Sequence, residues 1–188
     1  YVKQSNTTLQ SAFGSSIILS HDGRTLAVGA VDEDAITTGV DAVPWQADRR
    51  PEDRTRIAEN SAGALYVYVR AGTTWMFQAY LKSSTMRHND QFGIRMAFSD
   101  DGNVLAASSP LQPGGGRGVE PGTAPADESS PESGAVYVFT RRGTQWAQQA
   151  HIKAPNAQEY DMFGTGVALS GDGTVLAVGA AGEDGNGR

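Results

Sequence analysis

Short runs in which apolar residues alternate with polar or small ones fill the chain, and no stretch sustains the 3.6-residue period of a helix. Met96 and Phe98 in residues 95–99, then Val167 and Leu169 in residues 166–170, show the two-residue period of a strand, and residues 16–20 hold the same place in an earlier copy. An Asp-Gly pair follows each run, at Asp22-Gly23, Asp101-Gly102 and Asp172-Gly173. Such pairs mark tight hairpins because glycine tolerates the positive φ these turns need. Second strands are predicted over 25–30, 104–108 and 175–180. Third strands, rich in the Tyr and Val that suit a pleated surface, are predicted over 64–69 and 135–140. A glycine-containing turn leads to fourth strands over 75–82 and 146–153.

These runs recur in register. Phe-Gly stands at Phe13-Gly14, Phe92-Gly93 and Phe163-Gly164, with the Asp-Gly glycine nine residues after each Gly and Leu-Ala three residues later, at Leu26, Leu105 and Leu176. A lysine precedes each Phe by ten residues, at Lys3, Lys82 and Lys153. A second block appears as Gly63-Ala64-Leu65-Tyr66-Val67-Tyr68 and Gly134-Ala135-Val136-Tyr137-Val138-Phe139, each followed by a Gly (Gly72, Gly143), a Trp (Trp75, Trp146) and Gln-Ala (Gln78-Ala79, Gln149-Ala150). Phe to Phe is 79 and then 71 residues, and the difference falls wholly in the connection between second and third strands. Four antiparallel strands per unit, repeated in series, predict an all-β fold, a β-propeller of four-stranded blades. Units 1–79 and 80–150 and an incomplete unit 151–188 make about two and a half blades, against about four to eight in a closed propeller. An open stack leaves blade faces wet and edges unpaired. The expectation is therefore a partial propeller, a fragment or part of a larger one.

The order Phe-Gly, apolar strand, Ser-x-Asp-Gly, Leu-Ala-Val-Gly-Ala and then Gly-Ala-Val-Tyr-Val-Phe resembles the FG-GAP repeat, found in the N-terminal propeller of integrin α subunits and in many bacterial surface and secreted proteins. The likeness is to the bacterial form above all, over residues 163–184, and extends over the chain outside two insertions, 31–62 and 110–133. It implies a propeller engaged in extracellular binding or adhesion. Integrin-type repeats bind calcium in the first hairpin through alternating Asp and Asn. Here that hairpin holds only His21-Asp22-Gly23, Asp100-Asp101-Gly102 or Gly171-Asp172-Gly173. Calcium takes about six to eight oxygens, so these aspartates read as turn residues.

Composition removes several classes of function. With 15 Lys and Arg against 21 Asp and Glu, the net charge of −6 gives no draw to nucleic acid. No apolar run approaches the ~20 residues of a spanning helix. The absence of cysteine excludes disulfides, thiolate zinc sites and cysteine nucleophiles. No Gly-x-Ser-x-Gly, His-Glu-x-x-His or Walker loop is present, residues 114–118 lack a phosphate-binding lysine, and Asp-x-Phe-Gly shares only its letters with the kinase metal motif. The chain is expected not to be an enzyme. Tyr1 and Tyr80 stand where His151 does, which predicts a strand-surface position, and Phe13, Phe92, Phe163, Trp75 and Trp146 are predicted to pack blades together. Asp90 and Asp161, with Ser11 in the matching place, are predicted to hydrogen-bond the crossing backbone.

In an antiparallel meander successive connections alternate between the two ends of the sheet. Both insertions therefore share one end with the Phe-Gly crossings. In the integrin family that face binds ligand, as the resemblance implies. Insertion 31–62 opens with Asp32, Glu33, Asp34 and Asp41, continues through Trp45 and ends arginine-rich, with Arg49, Arg50 and Arg54. Arg and Trp are favoured at binding hot spots, so these eight residues are the candidate ligand contacts. Insertion 110–133, with its Pro-Gly-Gly-Gly-Arg-Gly and little apolar content, reads as a flexible flap. Glu33-Asp34 aligns with Glu183-Asp184, so Asp32, Glu33, Asp34, Glu183 and Asp184 form a candidate calcium set, to be weighed against solvated loop carboxylates. The leading expectation is an extracellular, secreted or cell-surface module that presents its insertions to a protein or glycan ligand, with no nucleic acid and no membrane span. One alternative is a scaffold or filament subunit joining further blades of the same or another chain. Another is an accessory propeller of a larger secreted hydrolase.

Overall fold

The computed structural model describes residues 2–3, 11–33, 38–41, 62–85, 87, 89–122, 127 and 129–185. Among them there are strands and turns but no helix. The first sheet contains β1 (Phe13–Leu19), β2 (Thr25–Ala30), β3 (Val40–Asp41), β4 (Ala64–Ala71) and β5 (Thr74–Leu81), in the order β1-β2-β4-β5-β3. The second contains β6 (Met96–Phe98), β7 (Val104–Ser109), β8 (Gly118–Pro121), β9 (Ala135–Arg142) and β10 (Gln145–Lys153), in the order β6-β7-β9-β10-β8. A third sheet holds β11 (Phe163–Leu169) and β12 (Leu176–Ala180). All named strand pairs are antiparallel. The chain is thus an all-β stack of four-stranded blades, the architecture of a partial propeller.

Two features differ from the sequence expectation. Each insertion returns to its blade and adds a fifth strand outside the fourth: Val40–Asp41 pairs with Leu81–Tyr80, and Gly118–Pro121 with Lys153–Ala150. Residues 110–133 are therefore not a free flap throughout. Gln112 is buried, the Gly114 N–H bonds to the Ser129 carbonyl, and Gly115 N–H donates to Asp127 Oδ2 at 2.8 Å. Backbone pairing, which needs no apolar side chain, holds this segment.

The Asp-Gly hairpins form as predicted. Asp22 Oδ1 accepts from Ser20 Oγ at 2.6 Å and from the Arg24 N–H at 2.9 Å. Asp101 repeats this with Ser99 and Asn103, and Asp172 with Ser170 and Thr174. These bonds hold all three carboxyls below the usual range.

Each blade has an aromatic face and an aliphatic one, because neighbours along β4 and β9 point to opposite sides. Tyr66, Tyr68 and Tyr80 cluster with Val28 on one side of the first blade, whereas Leu65, Val67 and Leu81 on the other meet Phe92, Tyr137, Phe139 and Trp146 of the second. The aromatic face of one blade therefore lies on the aliphatic face of the preceding one. Burying a large apolar side chain stabilises by roughly 1.5–3 kcal/mol, so this interface dominates the core. The two glycine motifs meet at the crossing. The Phe92 N–H donates to the Ala62 carbonyl at 3.0 Å, and Gly63, at φ 86°, lies so close that a Cβ would strike the Phe92 carbonyl. Gly134 meets Phe163 in the same way at the next crossing.

Candidate functional site

Where the insertions leave the blades, the structure buries charge. Lys82, at the end of β5, is 1% exposed and Glu33, just after β2, is 0% exposed. Glu33 Oε2 accepts from Lys82 Nζ at 2.9 Å and from the Tyr80 hydroxyl at 2.6 Å. An ion pair survives such burial only when further hydrogen bonds satisfy it, as the Tyr80 hydroxyl does here.

The same place in the second blade is built differently. Gln112 stands for Glu33, His151 for Tyr80 and Lys153 for Lys82. Lys153 Nζ donates to Ser133 Oγ at 2.8 Å, Gln112 Oε1 at 3.1 Å and the Pro113 carbonyl at 3.2 Å, all uncharged. Burial pushes its ammonium down to about 8. His151 is buried against the Tyr137 ring, 4.9 Å between centroids, and desolvation holds it down at about 4 and therefore neutral. Neither of its ring nitrogens has a hydrogen-bond partner, and Glu120 Oε2 lies 3.8 Å from Nδ1. The strand-surface expectation for positions 80 and 151 is thus corrected. Both are buried, and each sits opposite a residue of the added strand, Asp41 for Tyr80 and Glu120 for His151.

Between these pockets runs the crossing backbone. Asp90 Oδ2 accepts from the Arg87 N–H at 3.1 Å and Asp161 Oδ2 from the Gln158 N–H at 2.7 Å, the role predicted for both. Asp90 is fully buried, its Oδ1 has no hydrogen-bond partner, and burial raises its carboxyl to about 7. The Thr85 and Tyr137 hydroxyls bond at 2.6 Å beside it.

The candidate ligand residues separate into three groups. Asp32 is exposed in the turn after β2. Glu33 points inward, so it is a buried partner of Lys82 rather than a loop carboxylate. Asp41 lies in β3, opposite Tyr80. Asp34, Trp45, Arg49, Arg50 and Arg54 lie outside the described residues. Of the proposed calcium set, Glu33 is inside the first blade, whereas Glu183 and Asp184 are exposed after β12. Glu183 accepts from Asn156 Nδ2 at 2.5 Å and from the Gly185 N–H at 3.1 Å. Among the described residues no group of three or more His, Asp or Glu is placed to hold a metal. Sequence reasoning missed the buried lysines, although their fixed distance before each Phe-Gly was the available signal.

Residues 146–188 match the family model of the FG-GAP repeat. The match starts in β10 and runs through β11 and β12, so the sequence repeat spans two neighbouring sheets. No curated protein matches the chain.

Proposed function

Given an FG-GAP repeat over 146–188, preceded by two blades carrying the same motifs in register, we propose that the chain is part of a non-enzymatic extracellular binding module whose insertion-bearing end meets a protein or glycan ligand. FG-GAP repeats occur in extracellular proteins, and among the described residues no helix is long and apolar enough to cross a membrane. The observation that carries the reading is the shared origin of the insertions. Both leave between the second and third strands of their blades, and both are tied to the outer edge by an added strand. Long connections on a rigid scaffold are where binding residues concentrate. Calcium, if the ligand uses it, would draw on carboxylates exposed at this end, such as Asp32, and not on Glu33.

The test replaces residues 42–61 with a short Gly-Ser linker and compares both proteins on an array of immobilised glycans and purified extracellular-matrix proteins. The intact chain binds saturably to at least one surface, and the variant loses at least tenfold in affinity while its thermal transition stays in place. Absence of any binding by the intact chain, or equal binding by both, contradicts the reading.

A further inference from the structure

β8, the strand that the second insertion lays outside its blade, sits opposite a buried histidine. Four residues pair, Gly118–Pro121 with Lys153–Ala150, and Glu120 stands opposite His151. Just past them the Gly122 N–H donates to the Gln149 carbonyl at 2.7 Å, and Gln148 Nε2 donates to the Gly122 carbonyl at 2.6 Å. The strand itself buries little apolar surface: Val119 is 66% exposed, and Pro121 is exposed too. A segment held by backbone bonds with few buried apolar contacts opens locally, without the rest of the fold.

The place beneath β8 suits His151 only while the ring is uncharged. Neither ring nitrogen has a hydrogen-bond partner, so an added proton meets no acceptor. Lys153, two residues further along β10, lies on the same side of the strand and is itself buried. Tyr137, which packs on the ring from β9, carries no charge, and burial raises its hydroxyl further. Glu120 Oε2, at 3.8 Å from Nδ1, is beyond hydrogen-bond length, and its side chain is 39% exposed, so water screens its pull. Asp90 from the crossing and Asp127 from the insertion act on Lys153 instead. Burial first, and Lys153 second, hold the covered ring down at about 4. The first blade has Tyr80 in this place, with its hydroxyl committed to Glu33.

We propose that His151 makes the second insertion an acid-released strap: mild acid protonates the ring once it is uncovered and so favours a state in which β8 has left β10. The first insertion has no such trigger, because Tyr80 gains no proton in acid. A ring uncovered by the departure of β8 returns to the ordinary value of about 6.5, against about 4 when covered. The open form therefore holds the proton more tightly, and the closed form loses stability as pH falls from about 6.5 towards 4. Opening becomes nearly tenfold more favourable per pH unit over most of that window, which amounts to roughly 30–40-fold between about pH 6.5 and 4.5. The blade beneath stays folded, and the release does not depend on what the insertions bind.

Amide hydrogen exchange of the whole chain, expressed as protection relative to the intrinsic rate at each pH, reads the opening directly. Between about pH 6.5 and 4.5, protection over residues 118–122 falls roughly 30-fold. His151→Tyr, which copies the first blade, makes that protection independent of pH. The fall persists in Glu120→Gln, Asp127→Asn and Asp90→Asn, and in Asp41→Asn, whose site lies in β3 beside β10. A second measurement needs no substitution: followed by NMR in the parent chain, the His151 ring gains its proton only as β8 loses protection. Protection that stays level or rises in acid overturns the proposal. So does a fall that survives His151→Tyr, a fall abolished by any of the carboxylate variants, or a ring that charges while β8 remains protected.

Discussion

The first and second blades bury the same lysine and satisfy its hydrogen bonds in different ways. Lys82 faces a carboxylate, Glu33, steadied by the Tyr80 hydroxyl. Lys153, at the same register position, faces an amide, a hydroxyl and a carbonyl, beside a neutral histidine. The backbone is the same in both, so the difference lies in what positions 33/112 and 80/151 supply. Both blades thus place a long buried donor where the second-to-third connection leaves the sheet, and in each it meets acceptors of that connection: the Glu33 carboxylate in the first, the Gln112 amide, Pro113 carbonyl and Ser133 hydroxyl in the second. The ion pair is one of these two arrangements. In the third sheet the matching carboxylate, Glu183, is exposed and bonded to Asn156, with no buried lysine against it among the described residues.

Removing one partner separates the two arrangements most sharply. Glu33→Ala leaves the Lys82 ammonium buried without its carboxylate, a change that costs about 3–5 kcal/mol in buried pairs, read as a shift in the urea midpoint. Gln112→Ala removes only a neutral acceptor from a lysine that keeps others, and costs about 1–2 kcal/mol in the same assay. Equal losses would show that the blades are not electrostatically different.

Acid titration gives an effect between these two. Asp90 lies between the lysine pockets, and burial raises its folded carboxyl to about 7 from an ordinary 3.8, against the opposing pull of Arg87, Lys153 and Lys82. The folded state therefore holds this proton more tightly than the unfolded chain, so the group takes stability away as pH rises from about 4 to 7. His151, held at about 4 against 6.5, acts in the opposite sense, adding stability as pH rises from about 4 to 6.5. Asp90→Asn keeps an acceptor for the Arg87 N–H and removes the first effect. The variant is nearly as stable as the parent at pH 4 and exceeds it by roughly 2–3 kcal/mol at pH 7, measured by urea unfolding across that range. A constant difference at all pH values would place the Asp90 proton elsewhere.

Much of this fold was legible because the repeat imposes the same packing three times. Phe-Gly, Asp-Gly and Gly-Ala recur at fixed offsets, and each has a local cause: a crossing that admits no Cβ at Gly63 and Gly134, and a turn whose aspartate ties two donors. The added strands β3 and β8 were not legible. They span two and four residues, too short to show a period, and they are held by backbone bonds that any sequence can make. That omission hid the site as well. Without β3 and β8 the fourth strand looks like a blade edge, so Tyr80, His151, Lys82 and Lys153 look solvated. With them in place the same residues are interior. Glu33 was misjudged for the same reason, since its position in an acidic run suggested solvent and its partner lies 49 residues away.

The account rests on blades stacked face to face, and the bond between Trp146 and Gln78, 68 residues apart, probes that contact most directly. A double-mutant cycle with Gln78→Ala and Trp146→Phe, read by urea unfolding, should give a coupling of about 1 kcal/mol, since each change removes one end of a single hydrogen bond. Losses that add to within about 0.3 kcal/mol would mean that the two side chains do not meet and that the stacked arrangement is wrong.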